Sequence, residues 1–151
     1  MEKMRIYACD PGKSGSLVLM DYEEVHKIIP FDKEEYVKNT HSLVANRCVL
    51  EKVHSMPKQG VVSTFNFGEN YGWIRGVLDK ANIKIIDVSP QKWKGYFHLS
   101  GNKEESIELC KKLYPNVNLF RTERCKKEHD GIAEAILIGR YYLETGARDE
   151  D

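Results

Sequence analysis

The chain has 151 residues, 41% of them hydrophobic and 30% charged, which suits one globular domain with a sizeable core and requires no second. Its 23 basic residues are matched by 23 acidic ones, so a generic, strongly basic nucleic-acid binder is excluded and any such surface must be local. The charged start Met-Glu-Lys-Met-Arg runs straight into a short apolar segment, which predicts neither a signal peptide nor a membrane span and a cytoplasmic location, while Cys9, Cys48, Cys110 and Cys125 lack any Cys-x-x-Cys spacing, so zinc and disulfides are not expected.

In chain order, residues 5–9, 15–20 and 25–29 read as three strands joined by short turns, the pattern of an antiparallel meander. Asp10 closes the first and is followed by Pro11, Gly12 and Gly15. A strand ending in Asp-x-Gly, with a second strand returning after a glycine-containing turn, presents a carboxylate where backbone can approach a phosphate or metal. A helix is expected over 33–44, a buried strand over 47–53, a helix over 66–81 and a strand over 84–88. Only helices follow: a short one after Ser89-Pro90, one over 103–114 and a last one over about 130–145. The expected class is α/β, a mixed five-stranded sheet with helices on both faces. Residues 1–146 form the single domain and 147–151 a disordered tail.

Four acidic positions carry the functional reading. Glu51 ends the run Cys48-Val-Leu, and a carboxylate in an apolar strand is costly unless it is paired or binds a cation; the bland alternative is a place at the strand's solvent-facing end. Asp130 and Glu134 stand four residues apart on one helical face, where like charges repel and a divalent cation between them reverses the sign. Taken alone, Asp130 also suits an N-cap or first-turn role. In a mixed sheet of this order the first and fourth strands can be neighbours with the last helix across their ends, so Asp10, Glu51, Asp130 and Glu134 become candidate catalytic and metal-binding residues. Hard oxygen ligands without His or Cys clusters suit Mg²⁺, with Mn²⁺ as a substitute. Two such ions about 4 Å apart activate a water and stabilise the leaving oxygen of a phosphodiester.

Local basic stretches supply the candidate DNA contacts. They are Lys92 and Lys94 in Gln91–Lys94, Arg124, Lys126 and Lys127 in Arg121–Lys127, and Lys58 and Gln59 in a polar segment, 55–64, expected to be a mobile loop beside Glu51. The alternative for each charge run is a solvated face. His54, Phe65 and Phe67 are candidates to stack on an unpaired base, the two phenylalanines equally at home in a core. Gly68, Gly72 and Gly76 recur every four residues on one helix, a costly stripe that needs close approach either of the sheet or of the same helix in a second copy.

The motifs Asp10-Pro-Gly12 with Ser14-Gly-Ser-Leu-Val, Leu50-Glu51-Lys-Val-His54, and His129-Asp130-Gly-Ile-Ala-Glu134 resemble those of the RuvC-type Holliday junction resolvases of the ribonuclease H-like superfamily. The small phage and prophage proteins of that type are most similar. The likeness covers nearly the whole chain, because 56–60, 65–68 and Pro90-Gln-Lys-Trp93 also match segments those proteins carry between the motifs. It implies a ribonuclease H-like fold and a Mg²⁺-dependent endonuclease that resolves branched DNA. It also implies a homodimer, a location in the host-cell cytoplasm if the protein is phage-encoded, and the four acids as its metal tetrad. One departure stands out: bacterial RuvC spaces its last two acids three residues apart and ends on Asp, whereas here they are four apart and end on Glu134. His129 is either an extra ligand or proton shuttle, or a surface histidine. The competing readings are a ribonuclease H-like nuclease for flaps, forks or RNA-DNA hybrids, and a non-catalytic DNA-binding module. The latter gains nothing from carboxylates facing phosphates.

Overall fold

The computed structural model describes residues 3–42 and 44–146. Its elements run β1 (Ile6–Asp10), β2 (Ser16–Met20), β3 (Val25–Pro30), α1 (Lys33–Thr40), β4 (Arg47–Glu51), α2 (Val61–Lys80), β5 (Lys84–Val88), α3 (Pro90–Tyr96), α4 (Lys103–Leu113) and α5 (Asp130–Thr145). The tail expected over 147–151 lies outside the described residues. Among those described, no helix is long and apolar enough to cross a membrane.

The five strands form one sheet in the order β3-β2-β1-β4-β5. The meander β1-β2-β3 is antiparallel, and β1, β4 and β5 run parallel to one another, as crossover helices between them require. Side chains alternate between the two faces, so each strand feeds two cores. Ile6, Ala8, Val18, Met20 and Val49 pack against α3, α4 and α5, while Tyr7, Cys9, Leu17, Cys48 and Leu50 pack against α1 and α2. This is why β1 and β4 read as continuous apolar runs. Cys9, Cys48 and Cys110 are buried as small hydrophobes and Cys125 is exposed, all four as free thiols.

Helix α5 is the main lid of the first core. Ile132, Ile136 and Ile138 are at most 1% exposed, each contributing about 1.5–3 kcal/mol by burial. It approaches β1 and β2 so closely that a Cβ at Gly139 would sit 2.5 Å from Met20 Sδ and 2.9 Å from Ala8 Cβ. Only glycine fits there.

Two helix boundaries differ from expectation. Helix α1 stops at Thr40 rather than 44: the Asn39 carbonyl, an acceptor a further turn would use, instead accepts from Ser42 Oγ and Tyr7 Oη, each at 2.8 Å. Helix α2 starts at Val61 rather than 66, so the expected loop over 55–64 ends at Gly60. Once Ile74 and Leu78 anchor the helix in the second core, each added turn toward Gly60 costs little, even through the β-branched and exposed Val61 and Val62. The glycine stripe also resolves: a Cβ at Gly68, Gly72 or Gly76 would meet nothing within 4 Å, so the stripe faces away from the sheet rather than packing on it.

Candidate active site

Parallel pairing sets the first two acids side by side. Cys9 pairs with Leu50, so Asp10 and Glu51 are the next residues on adjacent strands. By the two-residue alternation both belong to the face carrying Ala8 and Val49, which is the α5 face. Helix α5 begins at that same end of the sheet, with Ser16 Oγ donating to the carbonyl of Gly131 at 3.2 Å. A Cβ on Gly131 would lie 2.3 Å from the carbonyl oxygen of Ser14, so glycine lets the helix start against the β1–β2 turn. Asp130 and Glu134 are thereby brought to Asp10 and Glu51.

The electrostatics follow from that convergence. Burial pushes the Asp10 carboxyl well above the usual carboxylate range, and the charges of Glu51 and Glu134, a hydrogen bond shared with Glu134 and the charge of Asp130 push the same way. Glu134 is raised by burial and by Asp130, against the pull of Lys94. Glu51, 9% exposed, is raised by burial although Trp93 and Lys94 favour its charged form. Asp130 lies outermost, 3.7 Å from Lys103 Nζ. The donor set is all oxygen and converges from β1, β4 and α5, which fits a hard divalent ion. Yet among the described residues no three His, Cys, Asp or Glu side chains already stand as a formed ligand group.

The other predicted positions divide. Lys94, half-buried on α3, stands with the acids, as its effect on Glu51 and Glu134 shows. Lys92 lies on the same helix. Arg124, Lys126 and Lys127 are exposed in the segment before α5, and Arg121 of that segment donates to the Lys13 carbonyl at 3.1 Å, tying it to the turn beside Asp10. Lys58 is exposed in the loop after β4, in a left-handed conformation at φ 68°. Gln59 is engaged within that loop: its Oε1 accepts from the Met56 N–H at 3.1 Å and its Nε2 donates to Ser63 Oγ at 3.2 Å. His54 is exposed, Phe65 is 67% exposed, and Phe67 is half-buried but joins neither core. His129 caps α5, its Nδ1 accepting from the Gly131 N–H at 3.2 Å, which leaves Nε2 as the proton-bearing nitrogen of the neutral ring.

Two residues escaped the sequence reading. Trp93 is fully buried and donates its indole N–H to Glu51 Oε2 at 2.8 Å; a buried tryptophan needs an acceptor, and that requirement was the available signal. Lys103, pairing with Asp130 across a distant helix, left none.

The fold has known counterparts. A Thermus thermophilus RuvC structure superposes with a TM-score of 0.66 at 11% identity over 96% of this chain and 98% of that one. T. thermophilus RuvC in complex with a Holliday junction substrate gives 0.67 at 13% identity over the same shares. No family model and no curated protein matches the sequence. The chain has the RuvC-like, ribonuclease H-like fold.

Proposed function

We propose that this protein is a divalent-metal-dependent endonuclease that resolves branched DNA, with four-way junctions as substrate. The observation that carries the reading is the convergence of Asp10, Glu51, Asp130 and Glu134 from the ends of β1 and β4 and the start of α5, on a fold shared with a RuvC described with a Holliday junction. These four would hold Mg²⁺, or Mn²⁺ in its place, and the bound ion supplies activation of water and stabilisation of the leaving oxygen. Trp93 fixes the orientation of Glu51, and Lys94 offsets part of the negative charge facing an incoming phosphate.

Affinity would come from local cations, because the net charge is zero. The candidates are Lys92 and Lys94 on α3, Arg124, Lys126 and Lys127 in the segment before α5, and Lys58 in the loop after β4. A second copy would meet this one along α2, whose open glycine stripe adjoins the exposed Val61, Val62 and Phe65. Such an isologous pair offers two sites to a near two-fold substrate.

The test is a cutting assay in Mg²⁺ or Mn²⁺ on labelled four-way junction, three-way junction, flap, linear duplex and RNA-DNA hybrid. Paired symmetric nicks in the four-way junction are expected. Preferred cutting of a flap or hybrid replaces the substrate while keeping the chemistry, and no cutting of any removes the enzyme.

A further inference from the structure

Helix α2 extends well beyond the part of it that packs on the sheet. Ile74 and Leu78 are buried in the second core, whereas Val61, Val62 and Phe65 at the other end are exposed. Where the packed part begins, Arg75 reaches across to β5. Its Nη1 donates to Asp87 Oδ1 at 2.7 Å and to Tyr71 Oη at 3.1 Å, and its guanidinium lies 5.6 Å from the centre of the Tyr71 ring. Tyr71 stands one turn before Arg75 on the same face of α2, so one nitrogen with two N–H groups joins the sheet to two turns of the helix.

This contact lies beside the strand that ends in Glu51. Asp87 pairs with Leu50, the residue before Glu51. The chain then leaves β4 with the Lys52 N–H donating to the Val88 carbonyl at 2.8 Å. The next N–H, that of Val53, faces the Tyr71 hydroxyl oxygen, where it favours the ionised form. A continuous route thus runs from Asp87 through Arg75 and Tyr71 to the backbone two residues past Glu51. The far half of the same loop is tied to α2, since Gln59 bonds the Met56 N–H and Ser63 Oγ. His54 and Lys58 are exposed between those two anchors.

Stability is a poor explanation for the ion pair. The Arg75 and Asp87 side chains keep 36% and 33% of their exposure, and pairs that open to water add little to folding. A guanidinium nevertheless holds its partners in a fixed plane, so what it supplies is direction. Resting on the nuclease reading above, we infer that Arg75 is a positioning residue: through Asp87 and Tyr71 it sets the path of the chain after Glu51, and with it the place at which Lys58 meets the phosphates of the substrate. Glu51 does not depend on this route, because its backbone pairs with Val88 and its side chain is held by Trp93. Loss of the contact therefore weakens substrate capture and spares the chemical step.

Two measurements test this. The first needs no cutting: amide hydrogen exchange is followed at Val53, and at Val49 in the middle of β4, in wild type, Tyr71→Phe and Arg75→Met. Tyr71→Phe removes the hydroxyl and keeps the ring. Exchange at Val53 is expected to become about tenfold faster in both variants and exchange at Val49 to stay as it was. Unchanged exchange at Val53 overturns the inference whether or not the protein is a nuclease, and equal acceleration at Val49 overturns it by making the contact a general stabiliser. The second measures steady-state cutting of a four-way junction. Both variants are expected to raise KM about tenfold with kcat held within about twofold. Lys58→Ala should also raise KM in wild type but add little to Tyr71→Phe, because both changes act on one contact. A fall in kcat at unchanged KM, or full additivity with Lys58→Ala, overturns the inference while leaving the nuclease standing. Absence of any cutting by the wild type removes the nuclease and leaves the exchange rates to decide whether Arg75 holds the loop.

Discussion

Trp93 donates its indole N–H to Glu51 Oε2 at 2.8 Å, from a ring with no solvent exposure to a carboxylate at the end of a central strand. The bond makes the orientation of a candidate metal ligand depend on a helix that supplies no ligand itself. Trp93→Phe keeps an aromatic ring in the core but leaves Glu51 without its donor, at a cost of about 1–3 kcal/mol. The variant should melt lower and, at fixed enzyme concentration, need more Mg²⁺ for half-maximal cutting. An unchanged metal requirement would assign the bond to stability alone.

Asp10→Asn and Glu51→Gln should abolish cutting and leave junction binding intact. The sign of the stability change follows from the raised Asp10 value: a carboxyl that binds its proton more tightly when folded contributes stability below its unfolded value, lost as pH rises through the folded one. Metal-free wild type should therefore lose stability as pH climbs above the ordinary carboxylate range, and Asp10→Asn should flatten that slope. Added Mg²⁺ should raise the melting temperature of wild type and not of Asp10→Asn. Thermal melts with and without the ion read both.

Replacing Lys126 and Lys127, or Lys92 and Lys94, by Ala should weaken DNA binding. The log-log salt dependence should flatten by about one unit for each phosphate that is no longer neutralised. An unchanged slope in both double variants would place the DNA on another surface.

Gly72→Leu adds a side chain where a Cβ meets nothing within 4 Å, so the fold should tolerate it. Sedimentation should then show wild-type dimers and a stable monomeric variant. A wild type that stays monomeric at micromolar concentration with junction DNA present would remove the dimer.

Asp21 closes the turn after β2. It is 4% exposed, its Oδ1 accepts from the Glu23 and Glu24 N–H groups at 2.8 Å each, and its Oδ2 meets His26 Nε2 at 2.7 Å. Burial alone would raise its carboxyl, but His26 and the two backbone donors hold it below the ordinary value. Its stability contribution is therefore present above an unfolded value of about 3.9 and lost as pH falls through the lower native one. Asp21→Asn should cost about 1–3 kcal/mol at neutral pH, with the gap to wild type closing under acid, by denaturant melts across pH.

The legible parts of this molecule were those written in local pattern. Alternation and glycine turns marked β1 to β3, and the i, i+4 spacing of Asp130 and Glu134 put both on one face before any contact was known. That β1 and β4 can be neighbours follows from the order of elements, whereas the parallel register that sets Asp10 beside Glu51 is seen only in the structure. What escaped depended on partners distant in the chain. The helical periodicity of α2 showed that Gly68, Gly72 and Gly76 share a face, but only the position of the sheet shows that this face is open. The beginning of α2 was hidden because Val61 and Val62 have weak helix propensity and are carried by a helix anchored three turns away. Trp93 and Glu51 are 42 residues apart, and nothing local joins them.

The close approach at Gly139 gives the site a remote gauge. With a rise of about 1.5 Å per residue, position 139 lies roughly 7.5 Å along α5 from Glu134, beyond reach of any substrate at the carboxylates. Yet the thickness of the layer between α5 and β1 is set there, by the absence of a single methyl group. The spacing of Glu134 from Asp10 thus depends on a packing contact in the dry interior, so the aperture of the acid cluster can be altered without touching an acid.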